Sequence, residues 1–271
     1  MNICFIGGGN MANAMIGGLL QRGFAPTQLG AVEIDAANRE RLRAAHGINV
    51  FAQLEAAAIA HCDVVVLAVK PQQLREVATQ LGSLLSAQQI VLSIAAGIRL
   101  ADLARWLGGR GVPVRAMPNT PALVGAGMTG LYAAALDSQQ RERVETIVRT
   151  AGAFVWVQSE AEMDAVTALS GSGPAYFFYF IEALEQAGKE LGLTEAVARQ
   201  LALETALGAA KLAHGSADDP ATLRARVTSK NGTTERALLS MEAHQVKAHI
   251  IAAARAAADR AAELGDELGA D

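Results

Sequence analysis

From Asp63 the chain runs Val64-Val65-Val66-Leu67-Ala68-Val69, six apolar positions in succession with none turned over to water. A strand that alternates apolar and polar residues can sit at a surface, but an unbroken run of this kind must be covered on both faces. The flanking sequence supplies the cover. Short β-branched stretches at 2–6, 31–34, 64–69, 90–94, 114–117, 129–132 and 153–157 alternate with helical periodicity at 11–22, 36–45, 71–85, 99–107 and 138–150. Such alternation predicts an α/β fold with a doubly wound, mainly parallel sheet and helices on both of its faces.

After Val157 the pattern changes. No convincing strand follows Ala161, and helical periodicity runs through 163–170, 175–191, 195–213, 220–227, 233–240 and 246–268, with Gly192 and Gly215 placed as helix terminators. A boundary near Glu160 therefore divides the 271 residues into a first domain, 1–160, and an all-α C-terminal domain, 161–271. Aromatic residues are only 4% of the chain and alanine crowds its end, which suits close helix–helix approach. That surface is expected either to pair with a second copy of the chain or to close as an intrachain bundle.

The first strand ends in Gly7-Gly8-Gly9-Asn10-Met11-Ala12, a G-x-G-x-x-A junction opening directly into a helix. This is the form in which a Rossmann-type sheet presents a dinucleotide pyrophosphate to a helix N-terminus. Gly7 allows the tight turn, Gly9 lets backbone approach the phosphates, and a small Ala12 lets helix and strand pack closely. The exposed amides and the positive end of the helix dipole complete an anion site, with Asn10 and Met11 in its first turn.

In such a sheet the ligand lies outside the carboxyl ends of the strands. Three more loops reach that edge: Val69-Lys70-Pro71, Ser93-Ile94-Ala95-Ala96-Gly97, and Met117-Pro118-Asn119-Thr120-Pro121, whose Asn119 and Thr120 are suited to a carboxamide. The second strand ends Val32-Glu33-Ile34-Asp35, a carboxylate about 20 residues past the glycines, where it would accept from a free ribose 2′-hydroxyl and repel a 2′-phosphate. The carboxylate favours NADH slightly, while Asn38, Arg39 and Arg41 follow closely enough to offset that charge, so NADPH stays open too.

Other function classes are poorly supported. A net charge of −4 with scattered Lys and Arg argues against a nucleic-acid partner. No apolar run approaches the roughly 18 residues of a membrane span. Cys4 and Cys62 read as small buried hydrophobes, and with no export segment a reducing, cytoplasmic setting is expected. His46, His61, His214, His244 and His249 show no metal-ligand spacing, so no metal is expected. Neither G-x-S-x-G nor a Walker lysine is present.

Two segments of the helical half remain. Ser170-Gly171-Ser172-Gly173-Pro174-Ala175-Tyr176 opens a long helix. Val227-Thr228-Ser229-Lys230-Asn231-Gly232-Thr233-Thr234-Glu235 opens another, with amides near Gly232, Thr233 and Thr234 able to cradle a carboxylate.

Taken with FIGGGNMA, VKPQ, SIAAGI and MPNTPALVG, these two segments (DAVTALSGSGPAYFFYFIEAL and VTSKNGTTE) closely resemble the pyrroline-5-carboxylate reductase family over essentially the whole chain. The resemblance implies hydride transfer from NADPH or NADH to the C=N carbon of 1-pyrroline-5-carboxylate, giving L-proline, the last step of proline biosynthesis. It implies a substrate carboxylate held near Ser229, Gly232, Thr233 and Thr234, with the Thr234 hydroxyl offered to the imine nitrogen as the catalytic contact. Gly7, Gly9, Asn10, Met11, Ala12 and Glu33 would serve the pyrophosphate and adenosine. Val69, Lys70, Pro71, Ala95 and Asn119 would flank the nicotinamide and its ribose. It also implies a homodimer through the helical domain, in some members built into a decamer. One departure stands out: Lys230-Asn231-Gly232 replaces the family's frequent Pro-Gly-Gly or Pro-Asn-Gly, and Asn231 is expected to preserve the loop by tolerating a left-handed backbone. A related β-hydroxyacid-type dehydrogenase would need a lysine proton donor on the long helix after the boundary, where none precedes Lys189. A nucleotide-binding sensor without turnover is the other alternative.

Overall fold

A computed structural model describes residues 1–270. Its strands are β1 Ile3–Ile6, β2 Leu29–Val32, β3 Asn49–Phe51, β4 Val64–Leu67, β5 Ile90–Ser93, β6 Val112–Met117, β7 Gly127–Tyr132 and β8 Gly152–Trp156. Its helices are α1 Asn10–Gln21, α2 Ala36–His46, α3 Ala56–Ile59, α4 Pro71–Gly82, α5 Leu100–Trp106, α6 Ser138–Val148, α7 Glu160–Val166, α8 Gly173–Glu190, α9 Glu195–His214, α10 Pro220–Arg226, α11 Thr233–Ala243 and α12 Val246–Gly269. The strands form one sheet in the order β3-β2-β1-β4-β5-β6-β7-β8, so the direction of winding reverses between β1 and β4. All neighbours are parallel except β6 and β7. Only a short 3-10 turn, Thr120–Val124, joins β6 to β7. A connection of that length cannot carry the chain back for a parallel crossover, so β7 returns antiparallel.

The valine run is covered as its composition requires. Val64 and Val66 pack with Met15, Ile16 and Leu19 of α1 and with Ile147 and Val148 of α6. Val65 and Leu67, pointing the other way, join Leu74, Ala78 and Leu81 of α4 and Leu103 and Trp106 of α5. At about 1.5–3 kcal/mol for each large apolar side chain removed from water, this two-sided burial is what holds the sheet. Cys4 is buried within it and Cys62 half-buried, both as free thiols. The hydrogen bond to Cys62, with burial, pushes the Cys4 thiol well above its ordinary range.

Some boundaries differ from the sequence pattern. β3 and α3 are too short to show periodicity, and β2 begins at Leu29 because Leu29 and Gly30 pair with Ile3 and Cys4. β6 extends back through Pro113, which pairs with Val91 of β5; β7 pairs only from Arg115 onward, so no ladder partner needs the N–H that proline lacks. By packing, the chain falls into two units. One unit is Met1–Ser172 with the end of the chain from Ala257; the other is Gly173–Ala256.

In the first unit, α7 and the end of α12 are tied to the sheet by charge. Buried Arg115 of β6 pairs with Glu160, whose other oxygen accepts from the Leu100 N–H at 2.6 Å. Arg99 reaches Asp266 at 2.9 Å and the Ala262 carbonyl at 3.1 Å. The second unit is helical throughout, built on the α8–α9 pair. Gly188 lies so close to Ala198 that an added Cβ would meet the alanine methyl at 2.7 Å, the close approach that small residues permit. Phe177, Phe178, Tyr179, Leu201, Leu207 and Leu212 are exposed, with Tyr179 at 76%.

Candidate active site

The site begins at the β1–α1 turn. Gly7 has φ +101°, and an added Cβ would sit 2.6 Å from the Ala68 carbonyl oxygen of the next strand, so no other residue fits. Gly8 is closed in by Leu42 and the Glu33 carboxylate. At Gly9 the opposite holds: a Cβ there would meet nothing within 4 Å. Gly9 is the N-cap of α1, makes no side-chain cap, and no acidic residue occupies the first turn. Ala12 is fully buried against the sheet, as close packing of helix on strand requires. The turn thus leaves an uncapped helix N-terminus facing open space at the β1/β4 reversal, a cradle sized by the absence of a side chain and fitted to a pyrophosphate.

A cleft of about 410 Å³ lies there. Of the residues singled out in the sequence, Gly7, Gly9, Glu33, Val69 and Lys70 line it. Leu54, Gln73 and Val77 line it too and escaped sequence reading. Leu54 follows the unrecognised β3, and the α4 residues carry no motif; only a helix-face projection of α4 would have marked them.

Glu33 is more constrained than a ribose ligand alone would be. It is 9% exposed, and its carboxylate accepts from the Gly8 N–H and the Asp35 N–H, each at 2.9 Å. Asp35 in turn caps α2 by accepting from the Asn38 N–H at 2.8 Å. Arg39 donates to the carbonyls of Glu33 and Ile34 at 2.9 and 2.7 Å.

The remaining loops share the carboxyl edge without lining this cleft. Pro71 opens α4 behind Lys70, which is exposed. Ala95 is buried after β5. Asn119 uses both ends of its amide within the protein: Oδ1 accepts from the Met128 N–H at 2.9 Å, and Nδ2 donates to the Ser170 carbonyl at 3.0 Å. A carboxamide partner would have to share those atoms, so Asn119 is first a brace between β7 and the π-helical turn Thr167–Gly171.

In the helical unit, α11 also starts on a glycine N-cap without a side-chain cap. The Gly232 N–H itself donates to the Ser229 carbonyl at 3.0 Å, so the bare amides at this helix start are those that follow it, of Thr233 and Thr234. Asn231 holds φ 61°, and its N–H donates to Glu235 at 2.7 Å. The left-handed residue that replaces a glycine here is thus an asparagine, one of the few side chains that tolerates it. Thr233 is exposed and Thr234 half-buried.

His46 bonds Asn13 at 2.8 Å beneath α1, and burial lowers its imidazole from the ordinary range. Among the described residues no group of His, Cys, Asp or Glu is placed to hold a metal ion, and no helix is long and apolar enough to cross a membrane.

A doubly wound sheet with an uncapped, glycine-turned helix start at its reversal, followed by a helical unit, defines a nicotinamide-dinucleotide-dependent oxidoreductase. Residues 2–97 match the family described as NADP oxidoreductase, coenzyme F420-dependent, and residues 160–264 match pyrroline-5-carboxylate reductase dimerisation. A pyrroline-5-carboxylate reductase of Pseudomonas aeruginosa is 46% identical over 98% of both chains, and one of Pasteurella multocida is 41% identical over 97% of both. The solved structure of a pyrroline-5-carboxylate reductase from Coxiella burnetii superposes with a TM-score of 0.92 at 40% identity, covering 97% of this chain and 98% of that one. A Plasmodium falciparum relative solved with NADP bound gives 0.85 at 28% identity over 98% of both. The chain belongs to the pyrroline-5-carboxylate reductase family.

Proposed function

We infer that this chain reduces 1-pyrroline-5-carboxylate to L-proline with hydride from NADPH or NADH, the last step of proline biosynthesis. The observation that carries the reading is the bare start of α1 behind Gly9, open where any side chain would stand. When bound, the reduced nicotinamide supplies the hydride. The protein's part is placement. Gly7, Gly9, Asn10, Met11 and Ala12 shape the pyrophosphate cradle. Val69, Lys70, Pro71, Ala95 and Asn119 form the sheet-edge loops assigned to the nicotinamide and its ribose. Ser229, Gly232, Thr233 and Thr234 form the turn assigned to the substrate carboxylate, and the Thr234 hydroxyl is assigned to the imine nitrogen.

The substrate's chemistry supports a site built this way. Hydride delivered to a ketone leaves an alkoxide that needs a strong proton donor, whereas a protonated cyclic imine gives a neutral amine directly. Catalysis then rests on positioning and exclusion of water. A β-hydroxyacid-type dehydrogenase is disfavoured, since α8 has no lysine before the exposed Lys189. A sensor without turnover is separated by assay.

The helical unit, with its exposed aromatic stretch Phe177–Phe180, supports a homodimer, and five dimers in a decamer is the larger assembly to test by light scattering. The setting is cytoplasmic. The direct test is oxidation of NADH and of NADPH, separately, with pyrroline-5-carboxylate. Turnover giving proline is expected; cofactor binding with no turnover would leave the sensor.

A further inference from the structure

We propose that this chain takes NADH in preference to NADPH, and that Glu33 sets the preference as a fixed negative charge that cannot step aside. The inference rests on the dinucleotide reading above and concerns the adenosine end of the same cleft.

Glu33 lines that cleft with its carboxylate buried rather than swinging in solvent. One oxygen is held by the Gly8 N–H and the other by the Asp35 N–H, both at 2.9 Å. The carboxylate is thereby wedged between the glycine turn and the first residues after β2. Turning it away would strand two backbone donors, one of them on the buried Gly8. An ionised carboxylate has about four acceptor directions, so two taken by amides still leave room for a ribose hydroxyl. A 2′-hydroxyl is therefore welcome at this end. A 2′-phosphate, bearing between one and two negative charges, meets a charge that has nowhere to go. In a crevice of intermediate dielectric such a repulsion amounts to about one to two orders of magnitude in affinity.

The neighbouring cations do not build a phosphate clamp in compensation. Arg39 has its Nη1 on the Glu33 and Ile34 carbonyls at 2.9 and 2.7 Å, fastening the loop. Arg41 has Nη2 directed at the Gly8 carbonyl at 3.5 Å, and Arg43 donates to the Val50 carbonyl at 2.7 Å and lies 3.8 Å from Glu40. Each guanidinium is oriented by backbone and not by a shared pocket. Asp35 adds a second, exposed carboxylate to the same loop, and Ile34, 79% exposed, offers an apolar surface in the place where a phosphate site would put a donor.

The test measures equilibrium binding of NADH and NADPH to the full-length protein by nicotinamide fluorescence, beside kcat/KM for each cofactor. NADH is expected to bind about tenfold or more tightly than NADPH. Glu33→Gln keeps the size and removes the charge, giving up one of the two backbone bonds because its NH2 cannot accept. It should bring the two affinities to within about threefold, mainly by improving NADPH. Equal or tighter NADPH binding by the unaltered protein would overturn the proposal while leaving the reductase reading intact. A preference that persists unchanged in Glu33→Gln would overturn the role of Glu33. Should that variant fail to fold, Glu33→Ser takes its place, and a preference unchanged in it overturns the role of Glu33. If neither cofactor binds, the dinucleotide reading falls, and this one with it.

Discussion

Two helices of this protein begin alike and are built differently. α1 and α11 each start on a glycine N-cap with no side-chain cap, each offering bare amides to an anion. At Gly9 a Cβ would meet nothing within 4 Å; at Gly232 it would strike the Ser229 hydroxyl at 2.5 Å and carbonyl at 3.0 Å. The turn before α1 is shaped from outside, by the Ala68 carbonyl under Gly7 and the Glu33 carboxylate under Gly8. The turn before α11 is shaped from within, by Ser229, the left-handed Asn231 and Glu235 reaching back to the Asn231 N–H. The lesson is that an anion site can be a property of a sheet or of a short peptide, and the two should fail differently on mutation.

The strongest way to break the comparison is Gly7→Ala. A left-handed backbone and a 2.6 Å approach to a central strand should together cost about 3 kcal/mol or more of stability, read as a large fall in Tm, with loss of cofactor binding. Next comes Thr234→Ala. Loss of one hydrogen bond to the reacting nitrogen, at about 1.5 kcal/mol, should lower kcat/KM by roughly tenfold, with cofactor affinity and Tm unchanged. Unaltered kinetics would remove Thr234 from the chemistry.

Gly9→Ala and Gly232→Ala sharpen the contrast as a pair. The first should cost only about 0.5–1 kcal/mol of stability, yet weaken cofactor binding by roughly tenfold, because the methyl enters the space assigned to phosphate. The second should cost about 1–2 kcal/mol through the Ser229 clash and raise KM for the imine without touching cofactor affinity. Equal effects on both ligands from either variant would dissolve the distinction. Smallest is Asn231→Val, where a β-branched residue at φ 61° should cost about 1 kcal/mol by denaturant titration while Asn231→Gly stays near neutral.

Local pattern accounts for much of this. The two-sided burial of β4 was legible in its valines, and the dinucleotide turn in Gly7, Gly9 and Ala12, because such requirements act over a few adjacent residues. The short β3 and α3 were not legible, having no room for a period. Nor was the division of packing at Ser172, since α7 is fastened to the first unit by partners distant in sequence, Arg115 and the Leu100 N–H on Glu160.

What the sequence determined alone was every feature whose cause lies within one element: which runs are strands, where a helix starts bare, and which family motifs stand in order. The tertiary structure alone decided the work of the polar side chains. Glu33 turned inward to Gly8 and Asp35, and Asn119 became a brace between Met128 and Ser170, because a polar atom is claimed by whichever backbone partner folding brings within reach, and those partners lie on other segments or around the next turn.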